Sequence, residues 1–235
     1  MNVKMFCYRV LFYVLGLFVM AFGVTFAANS NLGMSPVNSI PAVLSAITKV
    51  EMGTAVIIIF SLFIVAQTLI LRREFRWINL TQLIFSTIFG FFVDFIDLIV
   101  NGFCLPTIYG RVVMMLISLV LIAIGVSAYV ATNLINMPME GMTLAITQKV
   151  KGKTFRQVKI VVDTATVLIA LVLSLIFMAT IQTNLGIEGY PTSLVFIGTI
   201  VSAVGVGAVM GPIQKIVVPP IRRVCFDSAE AASQK

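Results

Sequence analysis

The sequence contains no histidine, and this absence limits the chemistry that it can support. Histidine is the most frequent general base and a common zinc ligand in proteins. The three cysteines, Cys7, Cys104 and Cys225, are far apart, which favours small apolar fillers or unbridged thiols over a metal site. No G-x-S-x-G or Walker motif is present either. We therefore expect no enzyme, no bound metal and no other cofactor.

Charged residues are also scarce, at 11% of 235 residues, whereas 60% are hydrophobic. This balance excludes an ordinary soluble domain. The hydrocarbon core of a bilayer is about 30 Å thick and needs about 20 apolar residues per helix. Six such runs are present, at about 9–28, 53–71, 77–100, 111–132, 157–181 and 191–217. Since backbone polar groups must pair internally in lipid, the sequence predicts an all-α membrane protein with six transmembrane helices.

The first run, from Val10 to Ala28, follows basic residues and ends in small ones, as a signal peptide does. It is longer than the typical apolar segment of a signal peptide, which has about 7–15 residues. We therefore interpret it as an uncleaved first span. Residues 1–217 are predicted to form one transmembrane domain, and 218–235 a cytoplasmic tail.

The net charge of +7 is distributed along the chain in a way that predicts orientation. If the N-terminus is cytoplasmic, 14 of the 16 basic residues lie on the cytoplasmic side, and only Lys49 and Arg111 lie outside. This is the positive-inside pattern, so both termini are expected in the cytoplasm. Basic residues beside apolar spans favour this reading over nucleic-acid binding, which we do not expect.

An internal repeat becomes visible when the sequence is shifted by 102 residues. Between residues 9 and 49, 10 of 41 positions are identical to those of 111–151, including Gly23/Gly125 and Pro36/Pro138. Each unit consists of a span, a polar break containing Asn-Leu and Pro, and two further spans. Because three spans reverse the direction of the chain, the sequence predicts two inverted three-helix repeats, at about 9–103 and 111–217.

The two polar breaks are the first candidate for a binding site. A proline is well tolerated at the first position of a helix, so Pro36 and Pro138 predict short helices after the first span of each repeat. If these helices are re-entrant, their N-terminal N–H groups would face a shared cavity and attract anionic or carbonyl groups. If they are surface loops or interfacial helices, the Asn side chains are simply caps. The candidate substrate-binding residues are Asn31, Ser35, Asn38, Asn133, Asn136 and Glu140.

Acidic residues within the spans are the second candidate, because a carboxylate in the membrane costs several kcal/mol unless it is protonated, paired or hydrated. Asp94 and Asp163 are the candidate sites for a coupling ion. Asp163 also lies four residues after Lys159, a spacing that predicts an ion pair on a helix. Asp97 is expected near the outer end of its span and in contact with solvent.

The stretches "NLGMSPVNSIPAVLSAITKVEMGT" and "NLINMPMEGMTLAITQKVKGKTFRQVKIVVD" resemble the YczE/YyaS/YitT-type family of bacterial integral membrane proteins. In each stretch a break with proline precedes a short helix, a polar turn and the next span. The resemblance implies a multi-pass protein of the bacterial cytoplasmic membrane. It supplies neither a substrate nor a functional residue.

These observations leave several functions open. The first hypothesis is a secondary transporter of a small polar or anionic metabolite that binds between the repeats. A channel, an accessory or substrate-binding subunit without its own transport activity, and a protein that assists assembly or signalling are the alternatives. The expected partners are membrane lipids and an unidentified small molecule, with a second copy of the chain or an accessory protein as further candidates.

Overall fold

The computed structural model describes residues 3–30, 32–75, 77–100, 102–150, 152–153, 155–185 and 197–226. In these ranges the chain forms helices and no strands. The helices are α1 (Val3–Ser30), α2 (Pro36–Thr48), α3 (Met52–Leu71), α4 (Thr81–Val100), α5 (Ile108–Ala131), α6 (Pro138–Lys149), α7 (Phe155–Leu185) and α8 (Ile197–Cys225). Two short 3₁₀ segments, Arg72–Glu74 and Trp77–Leu80, connect α3 to α4.

Six long helices correspond to the six predicted spans, so the all-helical fold is confirmed. Five of them contain segments that are long and apolar enough to cross a membrane: Val3–Ser30, Met52–Glu74, Trp77–Val100, Ile108–Ala131 and Gln157–Ile176. Many large apolar side chains on these helices are exposed, among them Leu62, Leu98 and Leu116. Apolar surface of this extent is typical of helices that face lipid.

The sixth helix extends further than the sequence predicts. Its predicted end was residue 217, but α8 continues through Pro219 and Pro220 to Cys225. Ile221, Cys225 and Phe226 form an apolar cluster with α5 residues. This packing holds residues 218–226 against the helical domain, where a tail was predicted. A proline inside a helix removes a hydrogen bond, and tertiary packing outweighs that local cost here. Residues 227–235 lie outside the described ranges.

Helices α1 and α5 form the centre of the structure, and small residues let them approach closely. A Cβ atom on Gly16 would lie 2.9 Å from the backbone oxygen of Gly125, and a Cβ atom on Gly23 would lie 3.0 Å from the backbone oxygen of Ser118. Such distances leave no room for a side chain. The main apolar core surrounds this crossing: Tyr13, Leu17, Met20, Ala21 and Val24 of α1 meet Val56 and Phe60 of α3, Phe89, Val93 and Ile96 of α4, Tyr129 of α5 and Met137.

The long helices define two ends of the bundle. At one, which we call the Arg9 end, Arg9 Nε and Nη2 donate to the carbonyl oxygens of Thr132 and Asn133 at 2.9 and 2.8 Å. The Arg9 guanidinium also lies 4.7 Å from the ring centroid of Phe226. The start of α1 and the ends of α5 and α8 therefore meet there. At the other, the Asp94 end, Asp94 of α4 contacts the start of α3.

Candidate functional site

The two short helices begin in the interior of the bundle and end at opposite ends of it. Residue Met139, in the first turn of α6, is fully buried, while Lys149 at its C-terminus pairs with Glu74 at 2.7 Å, at the Arg9 end. Helix α2 likewise starts at buried residues and ends at exposed Lys49, just before the start of α3 at the Asp94 end. This arrangement places both N-termini inside the protein.

Both short helices begin at the proline that predicts them. Ser35 precedes Pro36 with φ −67° and ψ 150°, and Met137 precedes Pro138 with φ −63° and ψ 155°. Extended backbone is the conformation that a following proline favours. In neither case does the side chain at the capping position accept a hydrogen bond from a backbone N–H of the first turn. The predicted helix starts are therefore confirmed, whereas capping by these side chains is not observed.

The third residue of each short helix carries a buried polar atom without a partner. Asn38 is only 1% exposed; its Nδ2 donates to Ser35 Oγ at 3.0 Å. Within the described part of the chain, Asn38 Oδ1 and Glu140 Oε2 both lack a hydrogen-bond partner of ordinary geometry. Asn38 and Glu140 occupy equivalent positions, 102 residues apart. Since buried polar groups are nearly always hydrogen-bonded, these two atoms at matching positions are candidates for contact with a ligand or with water.

The start of α2 is surrounded by uncharged polar groups. The backbone N–H of Met34 donates to Thr199 Oγ1 at 3.4 Å, which links the break to the beginning of α8. Ser35 and Thr199 are both buried, and Ser39 Oγ donates to the Pro36 carbonyl oxygen at 2.8 Å. This side of the site therefore combines a helix N-terminus with hydroxyl and amide groups.

The start of α6 is surrounded by two tyrosines and an ion pair. Tyr13 Oη donates to the carbonyl oxygen of Ile135 at 3.1 Å. The Tyr129 side chain is 1% exposed, and its hydroxyl faces the Glu140 carboxyl, outside ordinary hydrogen-bond geometry. Lys159 of α7 also lies near Glu140 and forms an ion pair with Asp163 at 3.2 Å. This side of the site therefore carries charge.

The two helix starts border one apolar cluster. Val37, the second residue of α2, packs against a cluster that contains Met139, the second residue of α6, together with Val158 and Val162 of α7. Phe63 of α3 packs against the same cluster. The polar groups at each helix start are thus separated by a shared apolar region rather than by a whole helix.

A buried pair of glutamines is the part of this region that sequence analysis missed. Gln67 Nε2 donates to Gln82 Oε1 at 3.0 Å and to the Pro138 carbonyl oxygen at 2.9 Å. A Cβ atom on Gly141 would lie 2.6 Å from Gln67 Oε1, so glycine allows α6 to approach the pair. The sequence does contain a signal for this contact, since Gln67 and Gln82 are uncharged amides within two consecutive apolar spans. Such groups form hydrogen bonds between membrane helices.

The other predicted binding residues that the structure describes are not brought into the interior. Asn31 lies outside the described residues. Asn133 and Asn136 are exposed. Asn133 adopts the left-handed conformation with φ 48°, which asparagine tolerates better than most residues, and its carbonyl oxygen accepts the Arg9 bond. Of the five candidates within the described ranges, Ser35, Asn38 and Glu140 lie at the starts of the short helices, inside the bundle.

The two candidate coupling acids both have partners. Asp94 Oδ1 accepts the backbone N–H of Gly53 at 2.5 Å and lies within range of that of Thr54. Glu51, at the capping position of α3, makes no side-chain cap, so Asp94 caps this helix from α4. Asp163 pairs with Lys159, as the i,i+4 spacing predicts. Each acid therefore has a structural role.

The helices and their apolar surfaces define this chain as a multi-helix protein of the membrane type. The chain belongs to a family of unknown function, DUF6198, whose model matches residues 7–215. It is also 24% identical, over 139 residues, to the uncharacterised protein YyaS of Bacillus subtilis (strain 168). That match covers 59% of this chain and 68% of YyaS, and it agrees with the resemblance noted in the sequence. No solved structure matches the chain.

Proposed function

We propose that this protein is a secondary transporter of a small polar metabolite, which binds between the starts of α2 and α6. In this proposal, α1–α4 and α5–α8 are inverted repeats that move relative to each other. Transporters of this kind bind their substrate near the middle of the membrane, at short or interrupted helices whose N-termini point at the site.

The contacts between helices support the inverted repeat. Under the 102-residue shift, Gly16 corresponds to Ser118, and Gly23 corresponds to Gly125. The contact between Gly16 and Gly125 therefore has an equivalent between Ser118 and Gly23, and the structure contains both. Helix pairs follow the same rule: α2 packs on α7 as α6 packs on α3, and α1 packs on α4 as α5 packs on α8.

The observation that carries the proposal is a pair of buried atoms, Asn38 Oδ1 and Glu140 Oε2, for which the described part of the chain offers no hydrogen-bond partner of ordinary geometry. A buried polar group without a partner costs about 1–3 kcal/mol, and a bound ligand that completes the hydrogen bond removes that cost. Two such atoms occur at equivalent positions of helices that end at opposite ends of the bundle. A site reached alternately from either side of a membrane has this layout.

The groups at the site also suggest the kind of substrate. The uncharged start of α2 suits an anionic or carbonyl group, because free backbone N–H groups and the helix dipole favour negative charge. The first turn of α6 already contains a negative group, the Glu140 carboxyl. This side of the site therefore suits a hydrogen-bond donor or a positive group of the substrate. We therefore narrow the substrate class to small polar molecules that carry both kinds of group, rather than simple anions.

The distribution of basic residues supports a location in the bacterial cytoplasmic membrane with the Arg9 end in the cytoplasm. Arg9, Arg72, Arg73 and Lys149 lie at or beside that end, and Arg222 and Arg223 belong to the last turn of α8, which also reaches it. Positive residues mark the cytoplasmic side of multi-pass proteins. Under this orientation both termini are cytoplasmic.

Transport is tested with the purified full-length protein in proteoliposomes that are exposed to a panel of amino acids, polyamines, carboxylates and sugars. We expect saturable uptake of at least one compound, reduced at least 10-fold by Asn38→Leu. The control is Asp97→Asn, which changes an exposed residue at the Asp94 end and should leave uptake unchanged.

Conductance that does not saturate would indicate a channel. If no compound in the panel is taken up until an ATPase is added, the protein is an accessory subunit, and the proposal is wrong.

A further inference from the structure

Among the described residues, Glu140 differs from Asp94 and Asp163 because no hydrogen bond of ordinary geometry reaches its buried oxygen, Oε2. In the described part of the structure, Glu140 Oε2 lacks a hydrogen-bond partner of ordinary geometry, and so does the hydroxyl of Tyr129 that faces it. Both atoms are enclosed by protein, and the Tyr129 side chain is almost completely buried. The carboxyl also lies in the first turn of α6, where the helix dipole favours a negative charge.

The charged and titratable groups around Glu140 come from three other helices. Helix α1 contributes the Tyr13 hydroxyl, and α5 contributes that of Tyr129. Helix α7 contributes Lys159 and Asp163, which pair with each other. Further along α6, Lys149 is paired with Glu74, which follows α3. Glu140, Asp163 and Lys159 therefore carry a net charge of −1 when both acids are ionised.

We propose that Glu140 binds and releases one proton in the interior of the bundle, and that this is the coupling proton of the transport cycle. When the carboxyl is protonated, its O–H can donate to the Tyr129 oxygen. When it is ionised, the Tyr129 hydroxyl donates to the carboxylate instead, and the released proton passes to water. Tyr129 can thus support both states, because a hydroxyl is both donor and acceptor.

A proton suits this position better than a metal ion does. Hard cations need several oxygen ligands arranged around them. Among the described residues there is no group of three or more acidic, cysteine or histidine side chains that could hold a metal ion. A proton needs only the carboxylate oxygen and one neighbouring acceptor, and both are present.

The electrostatic environment is consistent with exchange of a proton. Burial disfavours the charged form of the Glu140 carboxyl, whereas Lys159 and the Tyr129 hydroxyl favour it. Lys159 cannot neutralise Glu140 alone, because it is also paired with Asp163. A movement of α6 that changed the distance to Lys159 would therefore change the affinity for the proton.

Protonation is tested by infrared difference spectroscopy of the full-length protein in lipid nanodiscs, titrated with acid and without any substrate. We expect a protonated-carboxyl band that Glu140→Gln removes and Asp97→Asn retains. Its midpoint should lie above that of exposed carboxyl groups. In Tyr129→Phe, which keeps the shape of the ring, the band should persist to higher pH, because the ionised form loses its donor. An unchanged band in Glu140→Gln, or a band displaced by sodium at constant pH, would overturn the assignment.

The coupling role rests on the proposed transport function, so it needs a separate measurement. With a transported compound from the panel, a pH gradient should drive accumulation by the unmodified protein and by Asp97→Asn, and Glu140→Gln should abolish that accumulation. Gradient-driven accumulation in this variant would contradict the coupling role while leaving the infrared result valid. Absence of transport by the unmodified protein would contradict the proposed function instead.

Discussion

At the scale of single residues, Asp94 shows how an acid within a membrane span can be structural. Its carboxylate binds the N–H of Gly53 and lies close to that of Thr54, in the first turn of α3. These N–H groups have no partner within their own helix, and the residue at the capping position does not supply one. Asp94 therefore caps α3 from a neighbouring helix. The sequence does not predict this contact, because Asp94 and Gly53 are 41 residues apart.

This role predicts that Asp94→Ala destabilises the protein by about 1 kcal/mol, the usual cost of removing a helix cap. Asp94→Asn should cost less, because its amide oxygen can still accept the bond. Thermal unfolding in detergent, compared with the exposed Asp97→Asn control, measures both effects. Equal stability of the alanine variant and the control would show that Asp94 is not a cap. If Asp94 were instead the coupling site that the sequence suggests, Asp94→Asn would abolish gradient-driven uptake in a protein that still folds, whereas a cap predicts that uptake is retained.

Other residues show which contacts a sequence can predict. The pair of Lys159 and Asp163 followed from spacing along one helix, because helical geometry fixes which side chains are neighbours. The contact of Gln67 with Gln82 and the Pro138 carbonyl joins three helices, so no spacing predicts it. Likewise, the exposure of Asn133 depends on the direction of the chain after the end of α5, which the sequence alone does not define.

At the scale of helices, the α1–α5 crossing is the most tightly constrained element. A Cβ atom on Gly125 would lie 2.6 Å from the Gly16 carbonyl oxygen and 2.7 Å from both Met20 N and Met20 Cβ. Backbone atoms cannot move aside as a flexible side chain can. Small residues at such crossings allow membrane helices to pack by van der Waals contact.

We therefore expect Gly125→Ala to destabilise the protein by about 1–3 kcal/mol, in the range for an overpacked core. Gly211→Ala is the matched control, since a Cβ atom there would meet nothing within 4 Å. It should change stability by less than about 0.5 kcal/mol. The comparison is made by thermal unfolding in the same detergent. Similar values for the two variants would contradict close packing of α1 against α5.

Most helices could be predicted, because composition and proline position act locally. Apolar runs specify the long helices, and proline at a first position specifies where α2 and α6 begin. The length of α8 could not be predicted, because the contacts of Ile221 and Phe226 with α5 and α1 extend it past two prolines. The depth at which the short helices start is likewise a result of tertiary packing.

At the scale of the whole molecule, the proposed substrate site depends on two short helices that begin inside the bundle and end at opposite ends of it. Lys149 marks the end of α6 at the Arg9 end, and Lys49 marks the end of α2 at the Asp94 end. Their starts border the same apolar cluster and carry the unpartnered Asn38 and Glu140 atoms. The proposed transport cycle requires that a site between these starts be reached in turn from each side of the membrane.

The most direct test is the side of the membrane from which the ends of α2 and α6 can be labelled. Lys49→Cys and Gln148→Cys, both at exposed positions, are made separately in a variant whose three cysteines are replaced by serine. Intact cells with a permeable outer layer are treated with a membrane-impermeant maleimide, before and after permeabilisation of the cytoplasmic membrane. We predict that the cysteine at 49 is labelled in intact cells and the cysteine at 148 only after permeabilisation. Labelling of both from the same side would contradict the inverted arrangement and the shared site.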